Sequence, residues 1–390
     1  MITREITSRL IKLFNQYPIV TVMGPRQSGK TTLCRSSFPG LAYVNLESPD
    51  VRELAQTDPK LFLSRLDKGA VIDEVQRVPD LLSWLQVLVD EKRCNSLFVL
   101  TGSEQFQISR SISQSLAGRT ALLRLLPFSF SEYQLAGGNC ETDNMLFKGF
   151  YPRIHDQLLD PNQALEDYIE TYVERDVRQI GEIRNLTSFR RFIRLCAGRV
   201  GQLINLSSLG SDAGISHTTA SEWLTILEAS YITFRLPPWF SNIRKRLVKS
   251  SKLYFYDVGL ACHLIGIRQP EQLAVHPLRG PLFENMILME ILKHNYNRGQ
   301  RLELSFFRDS NGLECDLLYP TGNEMLGIEI KSGTTIVSDW FTPMDKVAQL
   351  LPALTRRAII HGGEDHQQRK MGDAVPYLEL SNFMQQIDDA

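Results

Sequence analysis

The sequence has little cysteine, and none of it forms a C-x-x-C pair. The six residues are Cys34, Cys94, Cys140, Cys196, Cys262 and Cys315. Such scattered cysteines indicate neither a disulfide framework nor a structural zinc site. A run of about eighteen apolar residues is also missing, and residues 1–14 have an amphipathic pattern without a secretory core. We therefore expect a cytoplasmic protein that does not span a membrane.

An excess of one charge is absent as well. The 390 residues include 43 Lys and Arg against 44 Asp and Glu, which gives a formal net charge of −1. An anionic partner would therefore need a local basic patch. With 43% hydrophobic and 22% charged residues, the composition is that of a globular protein with roughly two or three domains.

A glycine-rich loop follows the first apolar strand, residues 18–23. It matches G-x-x-x-x-G-K-[ST] and runs into a helix, and it consists of Gly24, Pro25, Arg26, Gln27, Ser28, Gly29, Lys30, Thr31 and Thr32. The glycines let backbone N–H groups point at phosphate oxygens, and the helix N-terminus adds its positive end. Lys30 would reach the β- and γ-phosphates, and Thr31 would bind Mg²⁺. The loop predicts a site for ATP and Mg²⁺.

An acidic partner for this loop comes at residues 70–74, where an apolar strand ends in two carboxylates. Asp73 would help to hold the metal, and Glu74 would polarise the attacking water. Ser103 ends the next strand, which we expect between the strand of Asp73 and the loop. It would contact the γ-phosphate or only cap its strand. Arg119 would act as a finger in a neighbouring subunit if the subunits form a ring, or it would be structural.

Residues 206–229 have the pattern of a helix-turn-helix. A short helix ends at the breaker Gly214, and Ser216 is a natural N-cap for a second helix. One face of that helix should be buried through Ala220, Trp223, Leu224 and Leu227. The opposite face should be exposed and contact nucleic acid through Ser216, His217, Thr218 and Ser221.

A basic stretch follows a predicted strand that begins at Tyr231 and would form a wing. Residues 235–252 carry a charge of +6 without any acidic residue, from Arg235, Arg244, Lys245, Arg246, Lys249 and Lys252. Such a concentration suits a phosphate backbone. We expect nucleic acid, DNA in particular, to be contacted by Arg244, Lys245, Arg246 and Lys249. The alternatives are a solvated basic strand pair and a protein docking module.

The last third contains acids and a lysine in the order found in restriction endonucleases. Glu284 lies on a predicted helix, Asp316 follows a hairpin that begins at residues 302–308, and Glu329 and Lys331 share one face of a strand. In that chemistry the acids bind Mg²⁺, and the ammonium orients or deprotonates the attacking water. The same carboxylates would also fit a nucleic-acid contact without cleavage or a buried ion pair.

These motifs together resemble the AAA-type ATPases that carry a C-terminal domain of unknown function. The matching stretches cover nearly the whole chain and are GPRQSGKTTL, YVNLESPD, VIDEVQRVPDLL, LTGSEQF, SLAGRTALLRLLPFSFSEY, KLYFYDVGLA and EIK. The resemblance implies ATP binding and hydrolysis through Lys30, Asp73 and Glu74. It also implies that Gln76 couples the nucleotide state to the substrate, although a helix-capping amide would explain Gln76 equally well.

We therefore expect an α/β protein with three domains. These are an N-terminal P-loop AAA-type parallel sheet with helices (residues 1–150), a middle helical lid and winged helix (151–250), and a C-terminal α/β restriction-endonuclease-like domain (251–390). We expect an ATPase that binds DNA and either remodels it or translocates on it. Whether the last domain is also a metal-dependent nuclease is left open. We expect the protein to form a homo-oligomer such as a hexameric ring. The alternative is a nucleotide-gated signalling or scaffolding ATPase whose C-terminal domains bind proteins.

Overall fold

A five-stranded parallel sheet forms the first part of the chain in the computed structural model, which describes residues 2–103, 115–173, 185–239 and 248–389. Its strands are β1 (Ile19–Met23), β2 (Ala42–Asn45), β3 (Ala70–Asp73), β4 (Phe98–Gly102) and β5 (Thr120–Arg124). Their order across the sheet is β2-β3-β4-β1-β5, and every neighbouring pair is parallel. Strands β1 and β4 are buried along their whole length, which explains their apolar sequences.

Helices cover both faces of this sheet. They are Thr7–Gln16, Lys30–Ser37, Pro49–Thr57, Pro59–Ser64 and Leu81–Lys92, with a 3-10 turn at Val75–Arg77. Successive residues of β1 serve opposite faces, as strand geometry requires: Ile19 and Met23 belong to one hydrophobic cluster, Val20 and Val22 to another.

The middle part is mostly helical. Its helices are Phe130–Leu135, Thr142–Lys148, Pro152–Asp156, Pro161–Tyr168, Leu186–Ala197, Leu206–Ala213 and His217–Ala229, and a π-helical turn covers Ile169–Val173. The predicted turn is confirmed, because Gly214 ends one helix with φ +73° and Ser216 caps the next by accepting from the N–H of Thr219. The predicted burial of Ala220, Trp223, Leu224 and Leu227 is also confirmed.

A two-stranded antiparallel sheet follows these helices. It pairs β6 (Thr233–Leu236) with β7 (Lys252–Phe255). Three of the predicted nucleic-acid contacts, Arg244, Lys245 and Arg246, lie between these strands and outside the described residues.

The last part contains a mixed six-stranded sheet. Its strands are β8 (Ser305–Arg308), β9 (Glu314–Thr321), β10 (Glu324–Lys331), β11 (Leu354–His361), β12 (Gln367–Arg369) and β13 (Gly372–Pro376). Their order is β12-β13-β11-β10-β9-β8, and β11 runs parallel to both of its neighbours. The helices are Val258–Leu264, Arg279–Arg298, Thr342–Leu350 and Leu380–Asp389, with 3-10 turns at Pro270–Val275, Ser338–Trp340 and Tyr377–Glu379.

The middle and last parts share a hydrophobic core. One continuous cluster of buried side chains extends in sequence from Leu126 to Met384. The domain limits at residues 150 and 250 stay predictions. Helix Arg279–Arg298, which we call the long helix, also contacts the segment that follows β5: Glu290 accepts from the N–H of Phe130 at 2.8 Å, and Lys293 donates to the carbonyl of Phe128 at 2.7 Å. Within the described residues, no helix is both long and apolar enough to span a bilayer.

Candidate functional site

The glycine-rich loop connects β1 to helix Lys30–Ser37, and both of its glycines are required by the backbone. A Cβ atom on Gly24 would lie 2.0 Å from the carbonyl oxygen of Leu125. Gly29 has φ +90°, a left-handed conformation that side chains disfavour. The sequence motif therefore corresponds to a loop that no bulkier residue at these two positions would form without strain.

Lys30 lies inside the loop and is only 6% exposed. Its Nζ donates to the carbonyl oxygens of Gly24 at 2.9 Å and Pro25 at 2.8 Å. Burial lowers the pKa of Lys30 to about 8, although the negative charges of Glu74 and Asp73 partly oppose this shift. Both hydrogen bonds of the Lys30 ammonium go to neutral carbonyl groups and not to these carboxylates.

Asp73 accepts hydrogen bonds from three hydroxyl groups. The Oγ1 of Thr31 and the phenol of Tyr43 each donate to its Oδ2 at 2.7 Å, and Thr101 donates to its Oδ1. The structure therefore brings the predicted pair Thr31 and Asp73 together. Tyr43 and Thr101, which lie on the two strands next to β3, were not predicted from the sequence. The order of the parallel strands could have predicted them, because the carboxyl ends of neighbouring parallel strands lie at the same edge of the sheet.

Glu74 has a left-handed backbone with φ +58°, which is rare for a residue with a side chain and is typical of functional sites. The side-chain amide of Gln76 donates to Glu74 and, at 3.3 Å, to the Oγ of Ser103. Strand β4 lies between β3 and β1, as the sequence analysis expected for the strand that ends near Ser103. A polar connection thus links Glu74, Gln76 and Ser103.

A cavity of about 860 Å³ opens beside this loop. Its lining includes Lys30, Thr31 and Glu74, together with Ile2, Arg4, Phe128, Arg153 and Gln157. The Oγ of Ser28, in the loop itself, is buried without a hydrogen-bond partner among the described residues. The volume suits a nucleotide, since pockets for small ligands measure about 300 to 1,000 Å³.

Arg4 is a buried residue that the sequence analysis missed. Its guanidinium donates to the carbonyls of Ser28 and Leu126, at 2.7 Å each, and its Nε lies 2.9 Å from a carboxylate oxygen of Glu132. Arg4 therefore joins the glycine-rich loop to the segment after β5. No motif marks this arginine, because its partners are mostly backbone atoms distant in sequence.

Arg119, the predicted finger, forms an ion pair within its own chain. Its Nε and Nη2 donate to the two carboxylate oxygens of Asp90, at 2.7 and 2.8 Å. Both side chains are partly exposed. This ion pair would have to open before Arg119 could reach a neighbouring subunit.

A second charged cluster lies in the last part of the chain, around Lys252. The Nζ of Lys252 is 2.9 Å from Glu284, 2.5 Å from Glu314 and 3.4 Å from Asp316. Lys252 is only 2% exposed, so its assignment to a surface basic stretch was wrong. Arg235 of the same stretch is paired with Glu228.

The cluster continues to Glu329 and Lys331, whose side chains are 2.6 Å apart. Burial, followed by the negative charge of Asp316, raises the pKa of Glu284 to about 7 and the pKa of Glu329 to about 8. Asp316 lies within β9, and its Oδ2 accepts from the N–H of Ile330 at 3.0 Å. The structure therefore assembles all four residues that the sequence analysis grouped.

Metal binding, a nucleic-acid contact and a buried ion pair were the alternatives for these acids, and the structure contains the ion pair. In the part of the chain that the structure describes, no group of three or more His, Cys, Asp and Glu side chains is arranged to hold a metal ion. The ammonium of Lys252 lies among the carboxylates that the sequence analysis assigned to Mg²⁺. Glu314 also contacts this ammonium and was missed. A lysine at the start of an apolar strand was the available signal of a buried ion pair.

The predicted nucleic-acid surface is only partly described. Ser216, His217 and Thr218 are exposed at the start of their helix, whereas Ser221 is half-buried. Lys249 is exposed just before β7.

Family comparisons agree with this architecture. Residues 16–134 match an AAA domain, residues 141–271 match a domain of unknown function (DUF8612), and residues 279–380 match another (DUF4143). The matched AAA domain, the parallel sheet and the glycine-rich loop define a P-loop AAA-type ATPase.

Proteins with similar sequences identify the family to which this chain belongs. Uncharacterised proteins of Mycobacterium tuberculosis and Mycobacterium bovis are each 32% identical to this chain over 369 residues, which cover 93% of the chain and 80% of each relative. An uncharacterised protein of Haemophilus influenzae is 24% identical over 332 residues, or 76% of this chain and 80% of that protein. The chain belongs to the family of these two mycobacterial proteins.

A solved structure that is similar to part of this chain is the Walker-type ATPase PABY2304 of Pyrococcus abyssi. It is 15% identical, with coverage of 67% of this chain and 94% of that one, and the TM-score is 0.45.

Proposed function

We propose that this protein hydrolyses ATP at the glycine-rich loop and uses the cycle to act on nucleic acid, with DNA as the ligand. The observation that carries the first half is the convergence of Lys30, Thr31 and Glu74 on one cavity, with Asp73 hydrogen-bonded to Thr31. These are the residue types that phosphoryl transfer requires.

The polar contacts support a division of labour among these residues. The carbonyl partners of Lys30 are neutral, so the ammonium can turn to phosphate oxygens at small electrostatic cost, and an anion favours its charged form. Thr31 and Asp73 would hold Mg²⁺, which would neutralise charge on the phosphate oxygens. Glu74 would accept a proton from the attacking water, while Gln76 and Ser103 hold Glu74 in position.

Substitution of Glu74 tests the hydrolytic half. We expect Glu74→Gln to bind ATP normally but to lower kcat by about 100-fold or more, because an amide cannot accept the proton. Fluorescent-nucleotide titration and phosphate release measure the two quantities. Glu47→Gln is a matched control, since Glu47 also lines the cavity but forms an ion pair with Arg77. Normal turnover in Glu74→Gln would contradict the assignment.

The nucleic-acid half rests on the helix-turn-helix and on its surroundings. The start of the second helix exposes Ser216, His217 and Thr218, and the exposed Lys249 precedes the second strand of the antiparallel pair. Recognition helices contact DNA through such N-terminal residues. The sequence between the two strands adds Arg244, Lys245 and Arg246 to this positive charge.

Stimulation of ATP hydrolysis by duplex DNA tests this half. We expect the rate to rise several-fold with DNA and the effect to fade as salt is raised, because phosphate contacts release counterions. Charge reversal of Arg244, Lys245, Arg246 and Lys249 to Glu should remove the stimulation, whereas Lys60→Glu, at an exposed position of the first part, should keep it. A rate insensitive to DNA at low salt would favour the alternative, in which the last two parts bind proteins.

We also propose a homo-oligomeric ring in which Arg119 leaves Asp90 and enters a neighbouring site. Arg119→Ala should then reduce kcat without changing ATP affinity, while Asp90→Asn should not reduce kcat. Full activity of Arg119→Ala would contradict the finger. We do not propose metal-dependent cleavage, because the ammonium of Lys252 lies among the carboxylates that would hold the metal.

A further inference from the structure

The peptide group between Ser28 and Gly29 is held by a residue from outside the glycine-rich loop. Its carbonyl oxygen, that of Ser28, accepts a hydrogen bond from Nη1 of Arg4 at 2.7 Å. This peptide bond is trans, and in a trans peptide group the C=O and the N–H point in opposite directions. The N–H of Gly29 therefore points away from Arg4. Because such loops bind phosphate through backbone N–H groups, Arg4 fixes the direction of a group that the loop needs.

Gly29 makes this peptide group easy to turn. Glycine adopts positive and negative φ about equally, and Gly29 has φ +90°. Rotation of the peptide plane would exchange the positions of its N–H and its C=O, and the dipole of the carbonyl would then repel a phosphate at that place. The hydrogen bond from Arg4 opposes this rotation, because Arg4 is only 8% exposed and a buried guanidinium that loses an acceptor is unfavourable.

Arg4 is itself held in one orientation by groups outside the loop. Its Nη2 donates to the carbonyl of Leu126 at 2.7 Å, its Nε lies 2.9 Å from Oε2 of Glu132, and its guanidinium lies 5.0 Å from the centre of the Phe128 ring. Glu132 is 1% exposed, and its Oε1 accepts from the N–H of Glu5 at 2.7 Å. A planar guanidinium with partners on several edges has little freedom to turn. Arg4 is thus fixed before a nucleotide arrives.

We propose that Arg4 is a positioning residue for nucleotide binding, which keeps the peptide group between Ser28 and Gly29 in the orientation that presents its N–H to phosphate. The inference rests on the proposed function, because it concerns the same site. Without Arg4, only a fraction of the molecules would have the binding orientation, and the apparent affinity would fall by that fraction.

The chemical step should depend on Arg4 much less than binding does. Bound phosphate selects the binding orientation of the peptide group, so the complex at saturating ATP is the same with or without Arg4. Glu74 and Asp73 also take their hydrogen bonds from side chains other than Arg4. Loss of Arg4 should therefore raise KM and leave kcat nearly unchanged.

Removal and replacement of the guanidinium test the proposal in the full-length chain. Calorimetric titration with ADP and with a non-hydrolysable ATP analogue should show that Arg4→Ala weakens both affinities by about tenfold, while kcat at saturating ATP stays within about twofold of wild type. Arg9→Ala is the matched control, because Arg9 donates to the carbonyl of Arg298 and does not line the cavity. It should change neither quantity.

Chemical rescue separates positioning from a general loss of structure. Arg4 lines the open cavity, so ethylguanidinium can enter the space that Arg4→Ala leaves. At millimolar concentration, far below denaturing levels, it should restore nucleotide affinity. Ethylammonium should not, since it lacks the planar fork of donors.

A second variant covers the case in which Arg4→Ala does not fold. Arg4→Lys keeps the charge but cannot bond Ser28, Leu126 and Glu132 together, and it should weaken ADP binding by about threefold or more. Wild-type affinity in a folded Arg4 variant overturns the proposal, and so does a loss of kcat at unchanged affinity or a loss of affinity that ethylguanidinium does not reverse. A wild-type chain that binds ADP but does not hydrolyse ATP would refute the proposed function and leave this inference standing.

Discussion

Lys30 and Lys252 are both buried near carboxylates, and they differ in what holds them. Lys30 donates to two backbone carbonyls beside a cavity, whereas Lys252 contacts three carboxylates. Burial lowers the pKa of Lys30 to about 8. Burial also acts to lower the pKa of Lys252, but the surrounding negative groups outweigh it and raise that pKa above its usual range.

The different hydrogen-bond partners of the two lysines indicate that Lys30 binds a ligand and that Lys252 stabilises the fold. An ammonium whose partners are neutral keeps an unsatisfied charge, and an arriving phosphate can satisfy it. An ammonium among three carboxylates is already neutralised, and its removal would leave buried negative charge. The environment of each lysine, more than its burial, therefore indicates which one serves chemistry.

The largest expected effect is at Lys30. We expect Lys30→Met to weaken ATP binding by about 100-fold or more, because the phosphate loses its main positive charge. The free energy of unfolding should not fall, since the buried ammonium of Lys30 costs desolvation. Calorimetric titration with ATP and thermal unfolding measure the two effects, with Lys12→Met at an exposed position as the control. An ATP affinity within tenfold of wild type would contradict the claim that Lys30 serves the ligand.

The reverse pattern is expected at Lys252. Lys252→Met should lower the free energy of unfolding by about 3 kcal/mol, because it leaves buried carboxylates without their counter-charge. ATP affinity measured below the unfolding transition should be unchanged. Lys249→Met is the matched control, because Lys249 is exposed three residues earlier. An unfolding curve equal to that of wild type would show that the carboxylates do not depend on Lys252.

The sequence predicted the first site better than the second for a physical reason. Residues 24–31 form the loop from consecutive positions, and the glycines are dictated by local backbone geometry. The partners of Asp73 required only the order of parallel strands. Lys252, by contrast, meets Glu314 and Asp316 of β9, which lie more than sixty residues later in the chain. In the sequence it belongs to a basic stretch. The local sign of this ion pair is a lysine at the start of an apolar strand, and that sign does not identify the distant carboxylates.

Stability against pH should reveal the acidic cluster. The pKa of Glu329 rises from 4.5 to about 8 in the folded chain, so the folded state binds more protons than the unfolded state between these values. The resulting stabilisation is complete below about pH 4.5 and is lost as the pH rises through about 8. We expect Glu329→Gln to flatten this decline by roughly 1 to 3 kcal/mol. Urea unfolding from pH 5 to pH 8.5 measures it, and Glu324→Gln, exposed on the same strand, is the control. Parallel curves for the Glu329 variant and wild type would contradict the pKa shift.

The smallest expected effects come from a matched pair of tyrosines. Tyr43 donates to Asp73, and Tyr254 donates to Glu284. Replacement of either by Phe removes one hydrogen bond to a carboxylate and should cost about 1 kcal/mol of unfolding free energy. Only Tyr43→Phe should raise the Mg²⁺ concentration needed for half-maximal ATP hydrolysis, by about tenfold. The reason is that Asp73, but not Glu284, is expected to hold Mg²⁺, and hydrogen-bond donors to a metal-binding carboxylate tune its metal affinity. An equal rise in Tyr254→Phe would mean that the acidic cluster contributes to the Mg²⁺ dependence of hydrolysis, and the separation between a ligand site and a stabilising site would fail.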